Sequence, residues 1–137
     1  MKKQLWKVVG FLAALLAAST AVSQTNRGDI IANIPFPFTV ANHTLPPGRY
    51  VTRIGEITLR IFNSHNQGTF VLTIGVEGKA PESTGELVFH RYGNAYFLSE
   101  VWVPANGIGR KVFQSRTEKE LAGKQTDMEA LILQGAR

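Results

Sequence analysis

The chain has 137 residues, no cysteine, and 15 Lys and Arg against 10 Asp and Glu. The missing thiols exclude a disulfide scaffold, a thiolate metal site, a cysteine nucleophile and a redox pair. At 44% hydrophobic and 18% charged residues the composition is that of a folded domain, not of a disordered chain.

Residues 1–23 are predicted to be a cleavable secretory signal peptide. Lys2, Lys3 and Lys7 form its positive start, an apolar run follows from Val8 to Ala18, and Ala21 and Ser23 supply a small-x-small site ahead of Gln24. The run falls short of the roughly 20 apolar residues a membrane span needs. No cysteine follows it to carry a lipid, and no later stretch is long and apolar enough to span after cleavage. Removing the signal takes three cations away and leaves twelve bases against ten acids, a net charge of +2 in place of +5. The basic balance of the whole chain is therefore a weak argument for a nucleic-acid partner. The expected setting is export, periplasmic or extracellular.

Residues 24–137 suit a single β domain. Ile30 to Ile34 is a short apolar segment, and Phe36, Phe38 and Val40 then alternate with Pro37 and Thr39. Pro35 and Pro37 cannot donate to a ladder, which predicts a sheet edge there. Asn42-His43 and Pro46-Pro47-Gly48 read as turns, the second with Gly48 free to take a positive φ. Arg49–Ile54 and Ile57–Phe62 follow as strands joined at Gly55-Glu56. A polar loop, 63–68, leads into Thr69–Val76, the cleanest alternation in the chain. Glu86–Arg91 and Ala95–Val103 are predicted to pair around Gly93-Asn94, a favoured two-residue hairpin connection.

Ser115-x-x-Glu118 is a capping box, so one short helix is expected near 115–122 with Gly123 as its stop. The segment 129–134 fits a closing strand better than a helix, although both remain open. Seven or eight short strands at about 8–12-residue spacing predict an all-β sandwich, with a small β-barrel as the alternative. The expected core takes Phe38, Tyr50, Leu59 and Ile61, then Phe70, Leu72 and Ile74 from one face of 69–76, and Phe89, Leu98 and Trp102 from the hairpin.

The stretches Ile34-Pro-Phe-Pro-Phe-Thr-Val40, Leu45-Pro-Pro-Gly-Arg-Tyr50, Leu87-Val-Phe-His-Arg-Tyr-Gly93, Tyr96-Phe-Leu-Ser-Glu-Val-Trp102 and Ser115-Arg-Thr-Glu-Lys-Glu-Leu-Ala122 resemble one family. It is a set of short, exported, uncharacterised acidobacterial proteins. Leu45–Tyr50 is also similar to the turn-and-strand of prealbumin-like modules. The family resemblance implies a Gram-negative envelope or extracellular setting and brings no activity with it.

The candidate chemistry is sparse. His43, His65 and His90 have no metal-ligand spacing, so no metal and no cofactor are expected. Glu86, His90 and Ser99 share a face in the expected hairpin register. Glu86 and His90 are four strand residues apart, about 13 Å, too far for the orienting bond of a triad. No G-x-S-x-G elbow surrounds Ser99. The alternating charges from Arg110 to Lys124 read as a solvated helix face, and nucleic acid is not expected to bind.

The expectation is a non-enzymatic module that binds a protein or glycan of the cell envelope. A carrier of a small apolar ligand in a barrel cavity is the alternative, and a hydrolase a distant third. The density of aromatic residues and Arg points to His90, Arg91, Tyr92, Tyr96 and Trp102 as a possible partner-binding group.

Overall fold

A computed structural model describes residues 29–78, 84–104, 107–124 and 127–135. The predicted signal and its cleavage site lie outside the described residues. The strands are β1 (Asp29–Ile34), β2 (Phe38–Val40), β3 (His43–Leu45), β4 (Gly48–Ile54), β5 (Thr58–Asn63), β6 (Gly68–Glu77), β7 (Glu86–Tyr92), β8 (Ala95–Trp102), β9 (Ile108–Val112) and β10 (Met128–Gln134). Among the described residues one helix, α1, spans Arg116–Lys124. The fold is all-β with one short helix, and its sheet is not closed into a barrel.

Eight of the ten strands form one hydrogen-bonded path, β1-β4-β5-β6-β9-β8-β2-β3, from which β7 and β10 branch at β8, and the whole folds into two layers. β1, β4, β5 and the first half of β6 make the first layer, all antiparallel. β6 then crosses over. Gly68–Leu72 pairs with β5, while Thr73–Glu77 pairs with β9 in the second layer. β9, β8, β7 and β10 continue that layer. β2 runs parallel to β8 at Thr39 and carries β3 on its other side. The prolines do not mark an edge at β2: Pro35 and Pro37 precede a three-residue strand that is paired on both sides, and the edge there is β3.

The layers meet through apolar side chains. Ile30, Ala32, Ile34, Tyr50, Leu59 and Ile61 from the first pack against Phe38, Phe89, Leu98 and Val101 from the second. Phe38 and Tyr50 touch edge to face at 5.0 Å, and Phe38 and Phe89 at 5.7 Å. The Tyr50 hydroxyl donates to the Pro46 carbonyl at 2.6 Å. This back-bond over four residues is a tyrosine corner, a device of β-sandwiches. It gives the Leu45–Tyr50 motif a physical purpose. Gly48 does not take the positive φ expected of it; among the described residues the glycines that do are Gly93 at 62° and Gly107 at 67°.

Four residues of the expected core lie outside it, three on β6 and one on β8. Phe70, Leu72 and Ile74 are exposed, not core. The inward row of β6 is Thr69, Val71 and Thr73, of which Thr73 is buried and the other two half-buried. Thr73 sets that orientation: its amide and its hydroxyl both donate to the Ile57 carbonyl, at 2.8 and 3.1 Å. Gly75 faces Arg110, whose guanidinium crosses it.

Trp102 is half-buried on the outer side of the second layer. The register of the β7–β8 hairpin slips at Ser99, with Val88 opposite Glu100 and Phe89 opposite Leu98. This bulge exchanges the two faces beyond it, so Val101 enters the core in place of Trp102. Gly123 does not stop the helix, which runs on to Lys124. The Gly93-Asn94 hairpin and the strand form of 129–134 are as expected.

Candidate functional site

The outward row of β6 stands on the open side of the sandwich. Phe70 is 64% exposed, Leu72 60% and Ile74 47%. A rise of about 3.3 Å per residue makes this row about 13 Å long. Ile57, at the β4–β5 turn, and Phe113, just past β9, are also exposed large apolar residues. Scattered exposed apolar side chains are ordinary, whereas a contiguous row is a mark of an interaction surface.

The row has a cation at each end. Arg60 lies directly opposite Phe70 on β5, and Lys111 directly opposite Ile74 on β9. Cross-strand partners share a face, about 5 Å apart. A groove of about 330 Å³ opens beside Ile74, walled by Val112 and Phe113 and rimmed by Lys111, Gln114 and Lys119. A second, of about 260 Å³, opens beside Phe70 among Arg60, Phe62 and Asn66.

The guanidinium of Arg60 lies 4.7 Å from the centre of the Phe62 ring, and that of Arg53 lies 5.6 Å from it. Arginines and aromatics therefore interleave on this layer, which the chain order does not show. Asp29 takes a two-pronged bond from Arg53 at 3.0 and 3.1 Å, while Glu100 lies directly opposite Lys111 and accepts the neutral Trp102 indole N–H at 2.9 Å, so its charge stays beside that lysine.

A second cluster lies beneath α1. The Ser115 hydroxyl accepts the Glu118 amide at 3.1 Å, the forward half of the expected capping box. The Glu118 side chain is turned inward, 3% exposed, with Oε2 at 4.0 Å from His90 Nδ1. Neither of those two atoms has a hydrogen-bond partner. Burial pushes the Glu118 carboxyl above the ordinary carboxylate value, with His90, Gln114 and Lys111 pulling it back. Tyr92 is raised as well, by burial first and by the Glu118 charge second. Glu118 is enclosed while His90 keeps 21% of its side chain exposed, and their contact ties the helix to the sheet.

The sequence-derived residues are distributed over both faces of the β7–β8 hairpin. His90 and Tyr92 lie under α1, Tyr92 only 4% exposed and edge to face with Phe97. Arg91 and Tyr96 lie on the other side. Tyr96 stacks on Phe36 at 3.9 Å, and Arg91 sits over Tyr96 while its Nε donates to the Gly93 carbonyl at 2.7 Å. Trp102 lies across Gly109 and reaches Gly78. The structure does not gather these five into one surface.

The Glu86, His90 and Ser99 trio is dispersed too. Glu86 accepts from Gln134, His90 faces Glu118, and Ser99 is the buried bulge residue. Among the described residues no group of three or more His, Asp or Glu is placed to hold a metal ion. No helix among them is long and apolar enough to cross a membrane.

Sequence reasoning missed the β6 face and the His90–Glu118 contact. For the first, the alternation of 69–76 separates two rows without saying which of them faces inward. No protein-family model, curated protein or solved structure matches the chain.

Proposed function

We propose that the protein is an exported, non-enzymatic binding module of the cell envelope, and that the outer face of β5, β6 and β9 is its working surface. One observation carries the reading: Phe70, Leu72 and Ile74 form an unbroken exposed apolar row flanked by grooves and cations. A chain that discards its signal at Ser23 meets its partners outside the cytoplasm, and the family resemblance of its motifs supports the same setting. The row favours a partner held by apolar burial over a glycan, which needs convergent hydrogen-bonding groups. The open sheet offers no barrel lumen for the carrier reading.

Mass spectrometry and cell fractionation test this together. The exported form should begin at Gln24 and remain with the envelope fraction. Leu72→Ser with Ile74→Ser should release it to the soluble fraction while it still unfolds in one cooperative transition, with a melting temperature lowered by no more than about 10 °C. A full-length cytoplasmic protein, or a double variant that fractionates like the parent, refutes the reading.

A further inference from the structure

Independently of the β6 face, we propose that α1 is a pH-operated cover on the outer side of the second layer. It is held down while Glu118 is protonated or faces a charged His90, and released once both have lost their protons.

The helix rests on one ionisable side chain. Of its nine residues Glu118 is buried and Leu121 half-buried, and the rest are exposed. A helix this short is marginal alone, so its persistence depends on what it rests on. Glu118 Oε2 stands 4.0 Å from His90 Nδ1, and among the described residues neither buried atom has a hydrogen-bond partner. A neutral carboxyl fits there, and so does a carboxylate beside an imidazolium. A carboxylate beside a neutral imidazole leaves a buried charge unpaired, which is costly.

The other groups facing Glu118 do not remove this dependence. From β7, Tyr92 brings a phenol that burial, and then the Glu118 charge, keep protonated. From β9, Lys111 attracts the carboxylate, yet Glu100 on β8 lies directly opposite that lysine and shares its charge. Gln114, just before the helix, gives the carboxylate a hydrogen bond, and Oε2 stays without one. Lys119, next on the helix, is exposed. Burial outweighs all of these and holds the carboxyl above its ordinary value.

As pH rises, the released helix gives up the Glu118 proton first and the docked helix later, so docking weakens through the docked value. His90 discharges in the same direction and takes away the counter-charge. His90, Tyr92 and, across the hairpin from His90, Phe97 share the face beneath the helix. Lifting α1 therefore uncovers the Tyr92 and Phe97 rings, each 4% exposed when covered.

Amide hydrogen exchange of the purified protein, corrected for the intrinsic pH dependence of exchange, tests this. Between about pH 5 and about pH 8, where a histidine discharges, the opening constant of the α1 amides should rise about tenfold or more. The core amides of Ile61 and Val101 should open far less often than α1 throughout. Glu118→Gln should remove most of the rise, and His90→Gln should bring release to a lower pH.

An α1 opening constant that does not change with pH overturns the proposal, as does a rise of the same size in Glu118→Gln. If α1 and the core open with the same free energy at every pH, the helix is not a separate cover and the proposal also fails. Release at an unchanged pH in His90→Gln overturns the pairing with His90.

Discussion

Replacing Leu72 by alanine should cost the fold little, and replacing Leu59 by alanine should cost it heavily. The two are neighbouring leucines of the same layer, yet Leu59 is fully buried and Leu72 is 60% exposed. Burying a leucine side chain completely is worth about 1.5–3 kcal/mol. Leu72 has withdrawn less than half of its surface from water, so its truncation should cost about 1 kcal/mol at most. It also leaves no closed cavity. Leu59→Ala removes methyl groups from a sealed core and should cost about 2–5 kcal/mol. Urea unfolding followed by the fluorescence of Trp102, the one tryptophan outside the predicted signal, measures both. A Leu72→Ala cost above about 2 kcal/mol would mean that the row is the inner one. The working face would then not exist.

Tyr50→Phe keeps the ring in the core and removes the hydroxyl with its bond to Pro46 and its interaction with the Asn63 side chain; urea unfolding should show a loss of about 1–2 kcal/mol. Glu118 binds its proton more tightly when folded than when unfolded, so its contribution to stability is full below the unfolded value near 4.5 and is lost as pH rises through the higher folded value. Glu118→Gln should flatten that part of a melting-temperature profile, and an unchanged profile would contradict the burial of this carboxyl. Gly109→Ala would place a Cβ 2.7 Å from the Trp102 indole. It should destabilise by about 1–3 kcal/mol and shift the Trp102 emission.

The local signals were legible where a turn or cap has its own chemistry. Gly93-Asn94 gave a hairpin, and Ser115 opened the helix. Glycines and charges concealed β9, because Gly109 and Lys111 carry no strand preference of their own and depend on Trp102 and β6 for their place. Alternation along 69–76 identified a strand and sorted its two rows. It did not say which row faces inward, since apolar residues are not confined to cores. The answer lies in Thr73, whose bonds to Ile57 are a tertiary fact. The Ser99 bulge likewise moved Trp102 outward through a single unpaired residue. His90 and Glu118 are 28 positions apart, and nothing in either neighbourhood announces the other.

The crossing of β6 has a mechanical meaning. A strand shared by both layers couples their fates, because peeling β5 from it frees Gly68–Leu72 and loosens the anchor of Thr73–Glu77 on β9. Neither layer can open while the other keeps its full ladder. Amide hydrogens at Ile61 and Val101, in different layers, should therefore exchange through the same global opening and report the same free energy.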